Sequence, residues 1–297
     1  MKYLNDFITL AKTKSPKRLV VAAAADIVVL KAVRDAMEEN IIIPILVGNK
    51  SEIENLSKQI NLNLSKIEII DAKEPFRACI IAVDIVNEGR ADILMKGLVS
   101  TAHISKAVLN RESGLRIGKL MSHIAFVQSP YYHKIFAISD AALNISPSLE
   151  DKVEMINNAV NIFHILGNKC PKVAVIGPIE MVNPKLEPTV HAAKLTEMNE
   201  QNIIKGCKVF GPLAVDNAIS KKAAKHKGIT SEVAGDADLL LTHDLNSGNI
   251  LYKTVNFLGG ASSAAIIVGA KVPIVLTSRA DSNKSKLLSI ALAVILT

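Results

Sequence analysis

The chain has 297 residues, 49% of them hydrophobic, which exceeds one ordinary core and leads us to expect two lobes with a cleft between them. Lys and Arg number 35 against 28 Asp and Glu, a net charge of +7 that favours small anionic ligands, whereas 4% aromatics, no tryptophan and scattered lysines argue against a nucleic-acid partner. Three well-separated cysteines (Cys79, Cys170, Cys207), apolar runs far short of the roughly 20 residues of a membrane span, and a polar first segment exclude a disulfide framework, a membrane partner and a secretion signal, so a cytoplasmic chain is expected.

Runs rich in Val and Ile alternate with helical patterns over most of the length, the sequence form of an α/β protein with mostly parallel sheets flanked by helices. Strands are predicted at Arg18–Ala23, Ile42–Val47, Ile67–Ile70, Asp92–Met95, Ile124–Val127 and Ile135–Ile138. Between them, Asp26–Glu39, Glu52–Ile60, Pro75–Glu88 and Ala102–Asn110 have helical period and length. Ser139–Lys152 concentrates turn and cap residues, and Ser148 with Asp151 opens a helix reaching Leu166, so the first domain boundary is placed at residue 139. Beyond it we expect strands at Lys172–Ile176 and Asp238–Leu241 and helices over Glu187–Asn199, Ala218–His226 and Asn249–Leu258. Ala264–Val268, Pro273–Thr277 and the helix Lys284–Leu296 fit either sheet on spacing alone.

Several chemistries leave no trace. The chain contains no GxG, so a Rossmann pyrophosphate turn is excluded as a motif, and GLRIGK at 114–119 is too short for a phosphate loop and reads as a surface turn. No HExxH, HxH or Cys/His cluster has metal-ligand spacing, so no metal site is expected. His123 and His164 fall in apolar patterns and read as core histidines, Cys79 reads as inert helix packing, and there is no GxSxG elbow.

Other strings suit an anionic substrate. In PIVLTSRADS a buried-strand pattern ends at Ser278 and Arg279, placing a hydroxyl beside a permanently charged guanidinium at a strand's carboxyl end, where open α/β sheets bind ligands. The alternative for this pair is a helix cap with a surface arginine. ADILMKGLVST places Lys96, Gly97, Ser100 and Thr101 at a strand-to-helix turn, where helix-start N–H groups and a lysine welcome an anion. The alternative there is a glycine turn with a Ser/Thr cap. In GPLAVDNA, Asp216 either caps a helix or faces the cleft, and in THDLNSGNILYK the same holds for Ser247 and Asn249.

Six strings in register, ADILMKGLVST, DAALNISPSLEDK, KVAVIGPIEMVNP, GPLAVDNA, DLNSGNILYK and PIVLTSRADS, together resemble the phosphate acetyltransferase and phosphate butyryltransferase family, the butyryl branch most closely. The resemblance spans nearly the whole chain. It implies a two-lobed architecture like that of isocitrate and isopropylmalate dehydrogenases, with residues 1–138 and 266–297 in the first lobe and 139–265 in the second. It implies reversible transfer of a short-chain acyl group, butyryl favoured, from coenzyme A to inorganic phosphate. Coenzyme A is then a substrate and no cofactor or metal is required, and the enzyme is a homo-oligomer. Ser278 and Arg279 match the family's Ser-Arg pair, with implied roles at the coenzyme sulfur and at the phosphate charge. The acetyl branch has a catalytic aspartate further on, where this chain has Ser285, so Asp281 and Asp216 are the carboxylates considered for catalysis here. It also has an arginine in the helix after GNI, where this chain reads Lys253 to Phe257. A phosphate acetyltransferase shares the mechanism and is the first alternative. A metal-dependent dehydrogenase of similar architecture and a non-catalytic nucleotide-binding regulator are the alternatives from other classes.

Overall fold

The computed structural model describes residues 1–278 and 281–297. The chain divides into two compact units, one made of Asn5–Lys119 and Ala264–Thr297, the other of Met1–Leu4 and Leu120–Ser263. In chain order the first unit starts with α1 (Asp6–Ala11), β1 (Lys17–Ala22), α2 (Ile27–Glu38), β2 (Ile42–Gly48), α3 (Lys50–Gln59), β3 (Glu68–Asp71), α4 (Pro75–Asn87), β4 (Ile93–Lys96) and α5 (Thr101–Val108). The second unit holds β5 (Ser122–Gln128), β6 (Phe136–Ser139), α6 (Leu149–Ile165), β7 (Lys172–Ile176), α7 (Glu187–Glu200), β8 (Lys208–Leu213), α8 (Val215–Ile219), α9 (Lys221–His226), β9 (Leu239–Leu241) and α10 (Leu245–Phe257). Most of β10 (Ser262–Val268), then β11 (Ile274–Val275) and α11 (Asn283–Ile295), return the chain to the first unit. Among the described residues no helix is long and apolar enough to cross a membrane.

In the first unit the strand order is β3-β2-β1-β4-β11-β10, parallel throughout except where β10 meets β11. The central strands are buried on both faces: Leu19 to Ala22 of β1 and Ile93 to Met95 of β4 are inaccessible, which is why they read as unbroken apolar runs. α2 starts where Asp26 caps it, its Oδ1 accepting the Val29 N–H at 2.8 Å. α11 packs against α1, α2 and β11 and is buried from Lys286 to Ile295, so it is a core helix without a polar face over that stretch.

In the second unit the order is β5-β6-β9-β7-β8, antiparallel only between β5 and β6. Because β6 pairs with β9, residues 120–138 go with this unit rather than with the first, and the division falls at Lys119/Leu120 instead of residue 139. β8, which the sequence pattern does not announce, is the edge strand; an edge tolerates Pro212, whose presence masks the strand signal. The helix expected over 218–226 is two short helices, α8 and α9, joined at Ser220. His123 is buried as expected, but His164 is exposed on α6, its Nε2 meeting the Gly206 carbonyl at 2.8 Å. At the amino ends of the parallel strands Asp236 meets Lys172 Nζ at 2.6 Å and His133 Nε2 at 2.8 Å, while Lys134 meets Asp238 at 2.6 Å.

Candidate active site

β1, β4 and β11 run parallel, so their carboxyl ends lie together, and here the first unit gathers its candidate residues. Gly97 N–H donates to the Ala22 carbonyl and Leu98 N–H to the Ala23 carbonyl, each at 2.8 Å. A Cβ at position 97 would overlap the Ala23 carbonyl and stand 2.7 Å from that of Ala22, so the turn after β4 admits only glycine. Lys96, the last residue of β4, is 4% exposed, and its Nζ donates to the carbonyls of Val99 at 3.1 Å and Gly97 at 3.3 Å. Ser100 caps α5 by accepting the His103 N–H at 3.2 Å, and Thr101 is the exposed first residue of that helix.

Ser278 follows β11 by three residues and is exposed, but its main chain is held on both sides. Asp281 Oδ2 accepts the Ser278 N–H at 2.7 Å, and the Asp281 N–H donates to the Ser278 carbonyl at 3.2 Å. Ser278 is not a helix cap: α11 is capped by Ser282, whose hydroxyl accepts the Ser285 N–H at 3.1 Å. Arg279 lies outside the described residues. Lys96, Gly97 and Ser278 line one small pocket together with Asp26, Thr277 and Lys286. Two lysines, two hydroxyl residues (Thr277 and Ser278) and the start of α2 line this opening with one carboxylate, Asp26, whose Oδ1 is taken up in capping α2, so the charge balance favours an anion.

Lys286 is the residue that reading the sequence missed. It is 3% exposed, and its Nζ donates to the Ser278 carbonyl at 2.8 Å and to Thr277 Oγ1 at 3.4 Å. Burial pushes its pKa down, against the pull of Asp281 and Asp26. The available signal was that Lys286, the second of two lysines in NKSK, directly abuts the apolar run LLSIALAVI.

Asp216 and Asn249 belong to the second unit. Asp216 is exposed as the second residue of α8, which Ala214 rather than Asp216 caps, and it faces Lys227 Nζ at 3.6 Å. Asn249 lies inside α10, where its amide donates to the Ala141 carbonyl at 2.9 Å, so it is not a cap either; Asp244 caps α10 in a reciprocal box with Ser247. Its neighbour Gly248 is packed so closely on the Asp140 carbonyl that a Cβ would overlap it. Asp140, 1% exposed, accepts four hydrogen bonds, from the N–H groups of His123, Ala142 and Leu143 and from the Asn144 amide, at 2.7 to 2.8 Å. The turn-rich string after β6 is therefore organised around a buried carboxylate.

The two buried thiols, Cys79 and Cys207, are poorly disposed to react. Burial raises Cys79 to about 11 and Cys207 to about 12, which leaves both protonated near neutral pH.

Comparison with known proteins identifies the family of the chain. A family model described as phosphate acetyl/butaryl transferase matches residues 3–78 and 76–294. The phosphate butyryltransferase of Clostridium beijerinckii is 46% identical over 98% of this chain and 97% of its own length. The phosphate acetyltransferase of Thermotoga maritima is 44% identical over 99% of both chains. Among solved structures, a branched-chain phosphotransacylase from Enterococcus faecalis superposes with a TM-score of 0.82 and 31% identity, covering 94% of this chain and 98% of that one.

Proposed function

Because the chain belongs to the phosphate acetyl/butaryl transferase family, we propose that it moves a short-chain acyl group, butyryl in the first instance, reversibly between coenzyme A and inorganic phosphate. The observation that carries this reading on the molecule itself is the pocket at the carboxyl ends of β4 and β11, where two buried lysines and Ser278 surround one opening.

Phosphate near neutral pH is already a nucleophilic anion, so its attack on the thioester carbonyl needs positioning and charge neutralisation more than a base. The new C–O bond gives a tetrahedral oxyanion; its collapse breaks the C–S bond and releases the coenzyme thiolate, which takes a proton from solvent. Lys96 supplies full charge at the pocket, Gly97, Ser100 and Thr101 supply the adjoining turn and helix start, and Ser278 is the donor proposed for the departing sulfur. The Ser-Arg resemblance gives Arg279 the phosphate charge. In the reverse direction the thiol, with an ordinary pKa of about 8.5, is deprotonated by a carboxylate, for which Asp281 beside Ser278 is proposed. The curated relatives carry both butyryl and acetyl names at 46% and 44% identity, so acetyl is the second substrate to test. On the family resemblance the proposal extends to a cytoplasmic homo-oligomer without a resident cofactor, and a solution mass of one 31.9 kDa chain would contradict the oligomer.

The direct test follows free-thiol release from butyryl-, acetyl- and longer acyl-coenzyme A with and without phosphate. The expected result is phosphate-dependent release that is fastest with a short chain. Release that ignores phosphate identifies a thioesterase and overturns the proposal.

A further inference from the structure

We propose that Lys286 is a positioning residue for the reaction: its buried ammonium locks the main chain of Ser278 and so sets where the Ser278 hydroxyl stands. This rests on the functional reading above. The inference starts from a cost. α11 is buried from Lys286 to Ile295, and an apolar side chain at 286 would continue that face without desolvating a charge. The ammonium has no carboxylate within ion-pair distance among the described residues; both its partners are neutral oxygens, the Ser278 carbonyl at 2.8 Å and Thr277 Oγ1 at 3.4 Å. Such a group is an expensive way to stabilise a fold and an effective way to fix one carbonyl.

The carbonyl it fixes matters. Ser278 O accepts from Lys286 Nζ and from the Asp281 N–H, while the Ser278 N–H is held by Asp281 Oδ2, so every main-chain polar group of Ser278 is engaged. The strand gives no such support, because β11 ends at Val275 and Ser278 has left the ladder. A residue exposed at its side chain and clamped at its backbone is the arrangement a donor needs if its hydroxyl is to meet a reacting atom reproducibly. Lys286 lines the same pocket as Lys96 and Asp26, so its charge also lies behind the site.

The test replaces Lys286 by Met, which keeps the length and removes the donor and the charge, and reads two quantities. Backbone amide exchange at Ser278 and Asp281 should rise by about tenfold or more while amides in β1 keep their protection. kcat should fall about 10- to 100-fold with the KM values for acyl-coenzyme A and phosphate unchanged, and Lys286→Arg should restore part of both. If Lys286→Met does not fold, Lys286→Leu, which also removes the donor and the charge, carries the same two expectations. Unchanged exchange at Ser278 and Asp281 overturns the inference whatever the activity. A raised phosphate KM at unchanged kcat overturns it as well, because Lys286 would then be a binding group. A wild-type chain without phosphate-dependent thiol release overturns the functional reading instead, and the exchange data still judge the clamp.

Discussion

Gly97→Ala is the sharpest test of how the site is built. The added methyl would overlap the Ala23 carbonyl and lie 2.7 Å from that of Ala22, and both obstacles are backbone. Neither can yield alone, since Ala22 and Lys96 are paired across β1 and β4 and Gly97 N–H and Leu98 N–H bond to those two carbonyls at 2.8 Å. Relief requires the turn after β4 to move away, which breaks or stretches both bonds at about 1 kcal/mol each and leaves one buried polar group unsatisfied for a further 1–3 kcal/mol. A loss of about 3–5 kcal/mol follows, a large share of the roughly 5–15 kcal/mol by which domains are stable. Urea unfolding followed by circular dichroism should show a lower midpoint with an unchanged slope, and turnover should fall because Lys96 and Ser100 are displaced with the turn. A Gly97→Ala chain with the wild-type midpoint and rate would refute the close approach and the site built on it. The neighbouring Ala23 has a φ of 57°, so Ala23→Gly should be neutral or stabilising by up to about 1 kcal/mol.

Other consequences are equally open to measurement. With Cys79 at about 11 and Cys207 at about 12 and both buried, a thiol reagent at neutral pH should titrate the exposed Cys170 quickly and the other two only on unfolding, without loss of activity at the first stage. His191 and His243 are held below the usual imidazole range by burial and by Lys152, so folding resists their protonation. Stability should drop as pH falls through about 6.5 and level off below the lower folded values, and a His191→Gln, His243→Gln double variant should show a shallower drop in thermal midpoint. A slope identical to wild type would contradict that assignment. Burial alone would raise the Asp236 pKa, but hydrogen bonds from Lys172, His133 and Lys134 outweigh it and hold the carboxyl well below its usual range. Asp236→Asn should therefore cost about 1–3 kcal/mol in denaturant unfolding, and no loss would mean the network is energetically idle.

The parts of this architecture legible in the sequence are those where one physical cause dominates. β1, β4 and β7 are apolar because parallel strands are covered on both faces, and Asp26 and Ser148 mark helix starts because their side chains satisfy first-turn N–H groups. Where causes compete, sequence alone does not decide. Pro212 hides β8, since a proline signal outweighs a short edge strand, and the turn-rich string after Ser139 looks like a linker although its Asp140 is a buried hub. Asp216 and Asn249 look like caps, but α8 and α10 start earlier than their periodicity suggests. Lys96 and Ser278 stood out because a charge or a hydroxyl directly follows a buried strand. Lys286 did not, because a lysine in an amphipathic pattern ordinarily reads as the solvent side of a helix, and only the packing of α11 reveals it as interior.

The measurement closest to the central claim is phosphorus NMR of the purified protein with butyryl-coenzyme A and inorganic phosphate, alongside a count of free thiol. An acyl phosphate resonance growing in step with the thiol, and no thiol when phosphate is omitted, is the predicted result. Thiol appearing while inorganic phosphate remains unchanged would contradict it.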